Sequence, residues 1–419
     1  MSYGSRRAAY VPRWLRALLL CLSWQLLVGH GWGQPEPEAL AISRTIQQRH
    51  LPYGTILDPV FATPASDQIV AYARAGDSAL WTGHYVAAEA FRYQVTGAED
   101  ALTNLRQALA GIRALVDVTG THLLARCLVP VDSPFAAALL HDGRRHAVFT
   151  HTLEDRSYYW IGSTSRDQYV GVFFGLSVAY DLIKDAHVRA AIDDVVTRLL
   201  DFLLHHNWAV VMPDGAISTS FWGQPAQQLS LLQVGRRVNP GRFDAIYTRY
   251  RALYAPAVLG PLAVDVRDED SDYFKFNLDT LTLYTLLRFE DSAYARWWYT
   301  QAYTSLRRTT DGHGNAHFNM LDRGVQGPDG RRDAETRALL AAWLTRPRRD
   351  AWVDWRGVYP ACGSPDRACA PLRVVDRGGT DFLWQRSPFG LVGGGEGTIE
   401  GAGIDYILPY WMARYYGVL

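Results

Sequence analysis

Four carboxylates stand out by position. Asp167 follows Ser163-Thr164-Ser165, where a helix cap is expected, and precedes thirteen residues without a charge. A carboxylate there either favours the helix dipole or is presented to a ligand at the helix entrance. Asp279 lies inside an apolar segment, with Asn277 and Lys275 just before it. An isolated buried charge costs several kcal/mol, so Lys275, one helical turn back, is the expected partner. Their pairing is either a structural ion pair or a device that tunes Asp279 for proton transfer. Glu396 and Glu400 belong to the glycine-rich run Gly393–Asp405. Glycine permits positive φ and close backbone approach, so this run reads as a chain reversal or a ligand-facing loop. It lacks the Gly-Lys-Ser/Thr ending of a phosphate loop, and its acidity favours hydroxyls, cations or proton transfer. Glycoside hydrolysis needs two carboxylates across one bond. Asp167, Asp279 and Glu396 are therefore the expected catalytic set.

The expected substrate-binding set is Trp81, His84, Tyr169, Trp222, Lys275, Asn277, His317 and Glu400. Trp81, Tyr169 and Trp222, with Tyr273, offer flat amphipathic rings for stacking. His84 stands between Gly83 and Tyr85 and reads either as a core histidine or as a partner for a hydroxyl. His313 and His317 are four apart, a spacing that binds metal on a helix. Gly312 and Gly314 argue against a helix through the first, so a rim loop donating His317 or Asn319 to a sugar hydroxyl is expected, with no metal and no cofactor.

These groups need a scaffold, and the periodicity predicts one. Ala98, Leu102, Leu105, Leu109, Ile112 and Leu115 fall at helical spacing, as do Val188, Ile192, Val195, Leu199 and Phe202 after a cap at Asp185. Their upstream neighbours, 81–95 and 169–183, are apolar nearly all round and read as buried. The order of inner helix, turn and outer helix recurs at 227–254 and 274–306, with an outer candidate at 333–345 and a last inner one at 404–415. Such pairs bury their faces only by stacking, which predicts an all-α (α/α)6 toroid whose inner helices line a central funnel. A small β-hairpin is expected within His141–Ile161, around Asp142-Gly143. Residues 347–399 read as a long loop with room for two short strands, stapled by a Cys362–Cys369 disulfide, leaving Cys127 as a buried thiol.

Segments such as 80–97 (LWTGHYVAAEAFRYQVTG), 165–181 and 275–281 resemble the inner-helix turns of six-hairpin glycosidase-like proteins. The likeness spans about residues 65–419 and is one of architecture and helix register. It implies an (α/α)6 barrel and, by association, carbohydrate work; no single glycosidase family's acid and base map onto the chain.

Composition agrees with a packed protein. Of 419 residues, 48% are apolar and 20% charged, and 42 basic residues balance 42 acidic ones. No basic field marks a nucleic-acid partner. Residues 1–33 carry four Arg and no acid, then an apolar stretch ending near Gly31-Trp32-Gly33. That is the pattern of a cleaved secretory signal, too short for a span. A lead-in at 34–64 and a single domain at 65–419 would follow. The expectation is a periplasmic or extracellular carbohydrate-active enzyme, a glycoside hydrolase acting on an oligosaccharide or polysaccharide, without stable membrane insertion. The alternatives are a non-catalytic glycan-binding toroid, or a polysaccharide lyase or epimerase on the same barrel.

Overall fold

The computed structural model describes residues 36–267, 273–379 and 385–419, so the expected signal segment lies outside the described residues. Residues Ala39–Leu419 form one compact unit, and all three sheets lie in it.

In chain order, helix α1 (Glu36–Thr45) leads to strands β1 (Asp58–Phe61) and β2 (Ile69–Ala73). Helices α2 (Ser78–Thr96) and α3 (Glu99–Asp117) form a hairpin, followed by β3 (Cys127–Pro130), α4 (Ala136–Asp142), β4 (Val148–Leu153) and β5 (Arg156–Ile161). Next come α5 (Arg166–Leu182) and α6 (Ala186–His205), strands β6 (Ala209–Val211) and β7 (Ile217–Ser220), then α7 (Pro225–Val238) and α8 (Pro240–Tyr254). Then follow α9 (Leu259–Asp265), α10 (Phe274–Phe289), α11 (Ala293–Thr310), α12 (Ala316–Gln326) and α13 (Gly330–Leu344). The chain ends with β8 (Arg349–Asp354), β9 (Val392–Glu400) and α14 (Ile404–Tyr415).

The helix ends follow local chemistry. The Asp185 side chain accepts from Val188 N and starts α6. Gly97, at φ 64°, closes α2 with its N–H on Tyr93 O, a left-handed position that suits glycine. Along α2 every residue from Ser78 to Arg92 is buried, whereas α3 buries one face through Leu102, Leu105, Leu109 and Ile112. Helix α2 packs on α5, α5 on α7, α7 on α10, α10 on α12, α12 on α14, and α14 again on α2. Helices α3, α6, α8, α11 and α13 pack against their respective partners.

The described chain is nevertheless mixed α/β, at 57% helix and 14% strand, which corrects the all-α expectation. Sheets of four (β2-β1-β9-β8), three (β3-β5-β4) and two strands (β6-β7) account for the difference. The glycine-rich run is not a reversal loop. Its residues up to Glu400 belong to β9, antiparallel to β8 and touching β1 through Val60 and Ile399, and its last two open α14. A side chain at Gly394 would meet Ala351 O at 1.9 Å, so glycine is what lets β9 lie this close to β8. The expected hairpin is real, but its turn is Glu154–Asp155, both at positive φ; Asp142-Gly143 instead ends α4.

Among the described residues, the middle of the helix cycle holds packed side chains where an open funnel was expected. A Cβ on Gly83 would lie 2.2 Å from Gly171 O, and one on Gly175 would lie 2.0 Å from Gly83 O, so α2 and α5 meet backbone to backbone. Beside this contact, the rings of His84, Phe174 and His317 pack together, with centroids 5.5 Å (His84–Phe174) and 5.9 Å (His84–His317) apart. Side chains fill the space that a funnel would need. The Cys362–Cys369 disulfide is present, with Cα atoms 4.8 Å apart, and Cys127 is a buried free thiol pushed up to about 12 by burial.

Candidate functional site

The surface opens where helices α2 and α10 begin. A cleft of about 370 Å³ is lined by Arg74, Tyr273, Phe274, Asp350, Arg377 and the glycines 378, 379, 393 and 394. A second cavity of similar size shares Arg74 and Phe274 and adds Asp77 and Trp81. Arg74 sits at φ 62° between β2 and α2 and donates from Nη1 to Asp58 Oδ2 at 2.6 Å. A non-glycine residue held in the left-handed region stores strain of the kind found at working sites.

Asp77, the residue just before α2, lines the second cavity; Asp167, in the first turn of α5, is joined to it through Gln168 but lines neither cavity. Gln168 Nε2 donates to Asp77 Oδ1 at 3.1 Å and lies 3.4 Å from Asp167 Oδ2. Its Oε1 accepts from Leu80 N at 3.0 Å, which ties α5 to α2. Because one nitrogen reaches both carboxylates, those two oxygens can be no further apart than the sum of the two contacts. Arg126 stands beside them, with Nη1 3.7 Å from Asp77 Oδ1 and Nη2 donating to Ser165 Oγ at 2.7 Å. Burial pushes this guanidinium down, and the charges of Asp167 and Asp77 oppose the shift. The Ser165 hydroxyl donates to Asp167.

Asp279 is elsewhere. It lines a cavity of about 10 Å³ with Gln224, Gln227 and Leu283, room for one water molecule and not for a sugar. Its Oδ2 has no hydrogen-bond partner among the described residues. Burial, aided by the charge of Asp265, pushes its carboxyl up to about 8 against Lys275 and Arg166. The ammonium of Lys275 lies 3.3 Å from Asp265 Oδ1 and acts on Asp279 through its charge, which corrects the expected Lys275–Asp279 pair. Glu396 is an exposed strand residue opposite Ala351 and lines neither large cavity.

The expected binding residues also separate. Trp81 lines the second cavity. His84 and His317 are fully buried; burial lowers His84 to about 4, and burial with the charge of His84 holds His317 well below its ordinary value. His84 Nδ1 contacts Leu80 O at 2.9 Å. His317 and Asn319 belong not to a rim loop but to α12, whose first turn is capped by Asn315. Tyr169 is buried, its hydroxyl accepting from Leu124 N at 3.3 Å, and Asn277 is buried too. Trp222 is exposed and donates to Asn207 O. Glu400 is buried against His50, 3.6 Å from its Nε2, while His50 Nδ1 lies 3.4 Å from Asp58. Burial alone would lower His50, but the hydrogen bonds and charges of Asp58 and Glu400 raise it. In turn His50 and Arg348 hold Glu400 low despite its burial.

Arg74, Arg126, Asp350 and Arg377 escaped the sequence reading. The one available signal was Arg377-Gly378-Gly379, a cation followed by residues without side chains. Among the described residues no cluster of His, Cys, Asp or Glu could hold a metal ion, and no helix is long and apolar enough to cross a membrane. Compared with protein-family models, curated proteins and solved structures, the chain matches none.

Proposed function

We propose that the protein is an exported carbohydrate-active enzyme of the glycoside hydrolase kind, with Asp77 and Asp167 as its carboxylate pair. The observation that carries this reading is their joint attachment to Gln168 at the entrance between α2 and α5. Retaining hydrolysis places its carboxyls about 5–5.5 Å apart and inverting hydrolysis about 6.5–9.5 Å. The bound set by Gln168 holds for one oxygen of each carboxylate, so the two carboxyl groups are close enough for either range. Asp77 lines a sugar-sized cavity, and Trp81 supplies an aromatic wall in the same cavity. Export is supported by the basic, then apolar start of the sequence and by the Cys362–Cys369 disulfide.

The test is a reducing-end assay over neutral and acidic polysaccharides with the wild type, Asp77→Asn and Asp167→Asn. Removing one member of such a pair should cost roughly 10²–10⁴ in turnover with folding intact. Full activity in both variants would overturn the assignment.

A further inference from the structure

We infer that the cleft contains a subsite for an anionic group on the glycan, a uronate carboxylate or a sulfate ester, seated on Arg377. The inference rests on the glycan reading above and names the substrate class. Arg377 lines the cleft ahead of Gly378 and Gly379. Its Nε donates to Leu372 O at 3.1 Å, Nη1 to Gly314 O at 2.9 Å and Nη2 to His313 O at 2.8 Å. A guanidinium carries five N–H donors, so these bonds fix its plane and leave two for a ligand. Neutral carbonyls orient the cation without cancelling its charge. No carboxylate pairs with it among the described residues; burial lowers it to about 10, with weaker opposing pulls from Tyr273 and Glu335. It remains protonated at neutral pH.

The surroundings add to the positive field. Arg346 Nη2 donates to Arg377 O at 2.7 Å and also to Gly379 O, placing a second guanidinium under the same backbone. His313 is held down to about 4, first by burial and then by Arg377, Arg307 and Arg367. Its Nδ1 contacts the Tyr273 hydroxyl at 3.3 Å on the same wall. Asp350 is the one carboxylate among the described lining residues, and its Oδ1 already accepts from Ile399 N at 2.9 Å. Of the lining glycines, Gly393 has nothing within 4 Å of where a side chain would begin, which leaves room for a ligand to approach the backbone there. A half-buried cation that lines an open cleft gains most from an anion that takes up its remaining N–H donors.

The experiment measures binding of the full mature chain to polygalacturonate against fully methyl-esterified pectin, and to κ-carrageenan against agarose. Each pair compares a charged polymer with an uncharged counterpart. At least one acidic polymer should bind roughly tenfold tighter or better than its counterpart, as expected for a hydrogen-bonded ion pair. Preference for polygalacturonate identifies a carboxylate, and preference for carrageenan a sulfate. Arg377→Gln should abolish the preference and Arg377→Lys should retain part of it. Because Arg377 ties three carbonyls together, both variants are first checked by thermal unfolding. If they fail to fold, the wild-type preference must shrink as salt rises. Equal binding of charged and uncharged polymers would overturn the subsite and leave the hydrolase reading standing. Binding and cleavage of no polymer would overturn both.

Discussion

Replacing Asp279 by Asn should stabilise the protein at neutral pH, and the amount can be worked from its surroundings. The carboxyl is buried, its Oδ2 has no hydrogen-bond partner among the described residues, and it titrates at about 8 instead of 3.8. The folded state therefore prefers the neutral acid, while the unfolded chain ionises above about pH 4. Stability from this group is whole below pH 4 and is lost progressively as pH rises towards 8. Each pKa unit is worth about 1.4 kcal/mol, so at pH 7 the loss reaches at most about 4 kcal/mol. Asn has the same shape and no charge, and it escapes that loss. Urea unfolding of both proteins between pH 4.5 and 8.5 gives the test. The stability difference should widen in favour of Asp279→Asn with rising pH and level off above 8. A difference that is flat with pH would refute the reasoning. Loss of turnover in this variant at undiminished stability would return Asp279 to the catalytic set and displace the Asp77–Asp167 pair.

Other outcomes follow from the packing. Gly83→Ala should destabilise by about 3 kcal/mol or more, because its methyl would meet the Gly171 backbone, which cannot turn aside. In contrast Gly241→Ala in α8, with nothing within 4 Å, should stabilise by up to about 1 kcal/mol; chemical denaturation reads both. His84 is held down to about 4, so its contribution is whole above pH 6.5 and declines as pH falls towards 4. His84→Leu should flatten that acid limb in the same titration. Cys362→Ser should loosen the segment that it closes by about 2–3 kcal/mol, seen as faster proteolysis near residue 365 with the helices still protected in hydrogen exchange.

The helix pairs were legible because each helix reports its own buried face at a period of 3.6 residues. Local caps such as Asp185 and Gly97 then mark the ends. The disulfide was legible because eight turn-rich residues can hardly separate their ends. The strand β9 was not. Its glycines carry no alternating pattern, and its partners β1 and β8 lie in other parts of the chain. The first turn of α12 is hidden in the sequence because Gly312 and Gly314 lie just upstream and Asn315, its cap, is also an ordinary loop residue.

The site divides the same way. Composition and spacing singled out Asp167 and a rim built from helix entrances. They did not show that Gln168 would bridge Asp167 to Asp77, that Asp279 would face a cavity the size of one water, or that Glu400 would be drawn to His50. Periodicity records which face of an element avoids water. Which faces then meet depends on backbone approach, such as the glycine contact between α2 and α5, and on charges brought together from distant segments. For that reason the sequence by itself determined the helical hairpins, their caps and the staple. Tertiary packing alone decided the sheets, the filled centre, and which carboxylates and guanidinium groups share a cavity.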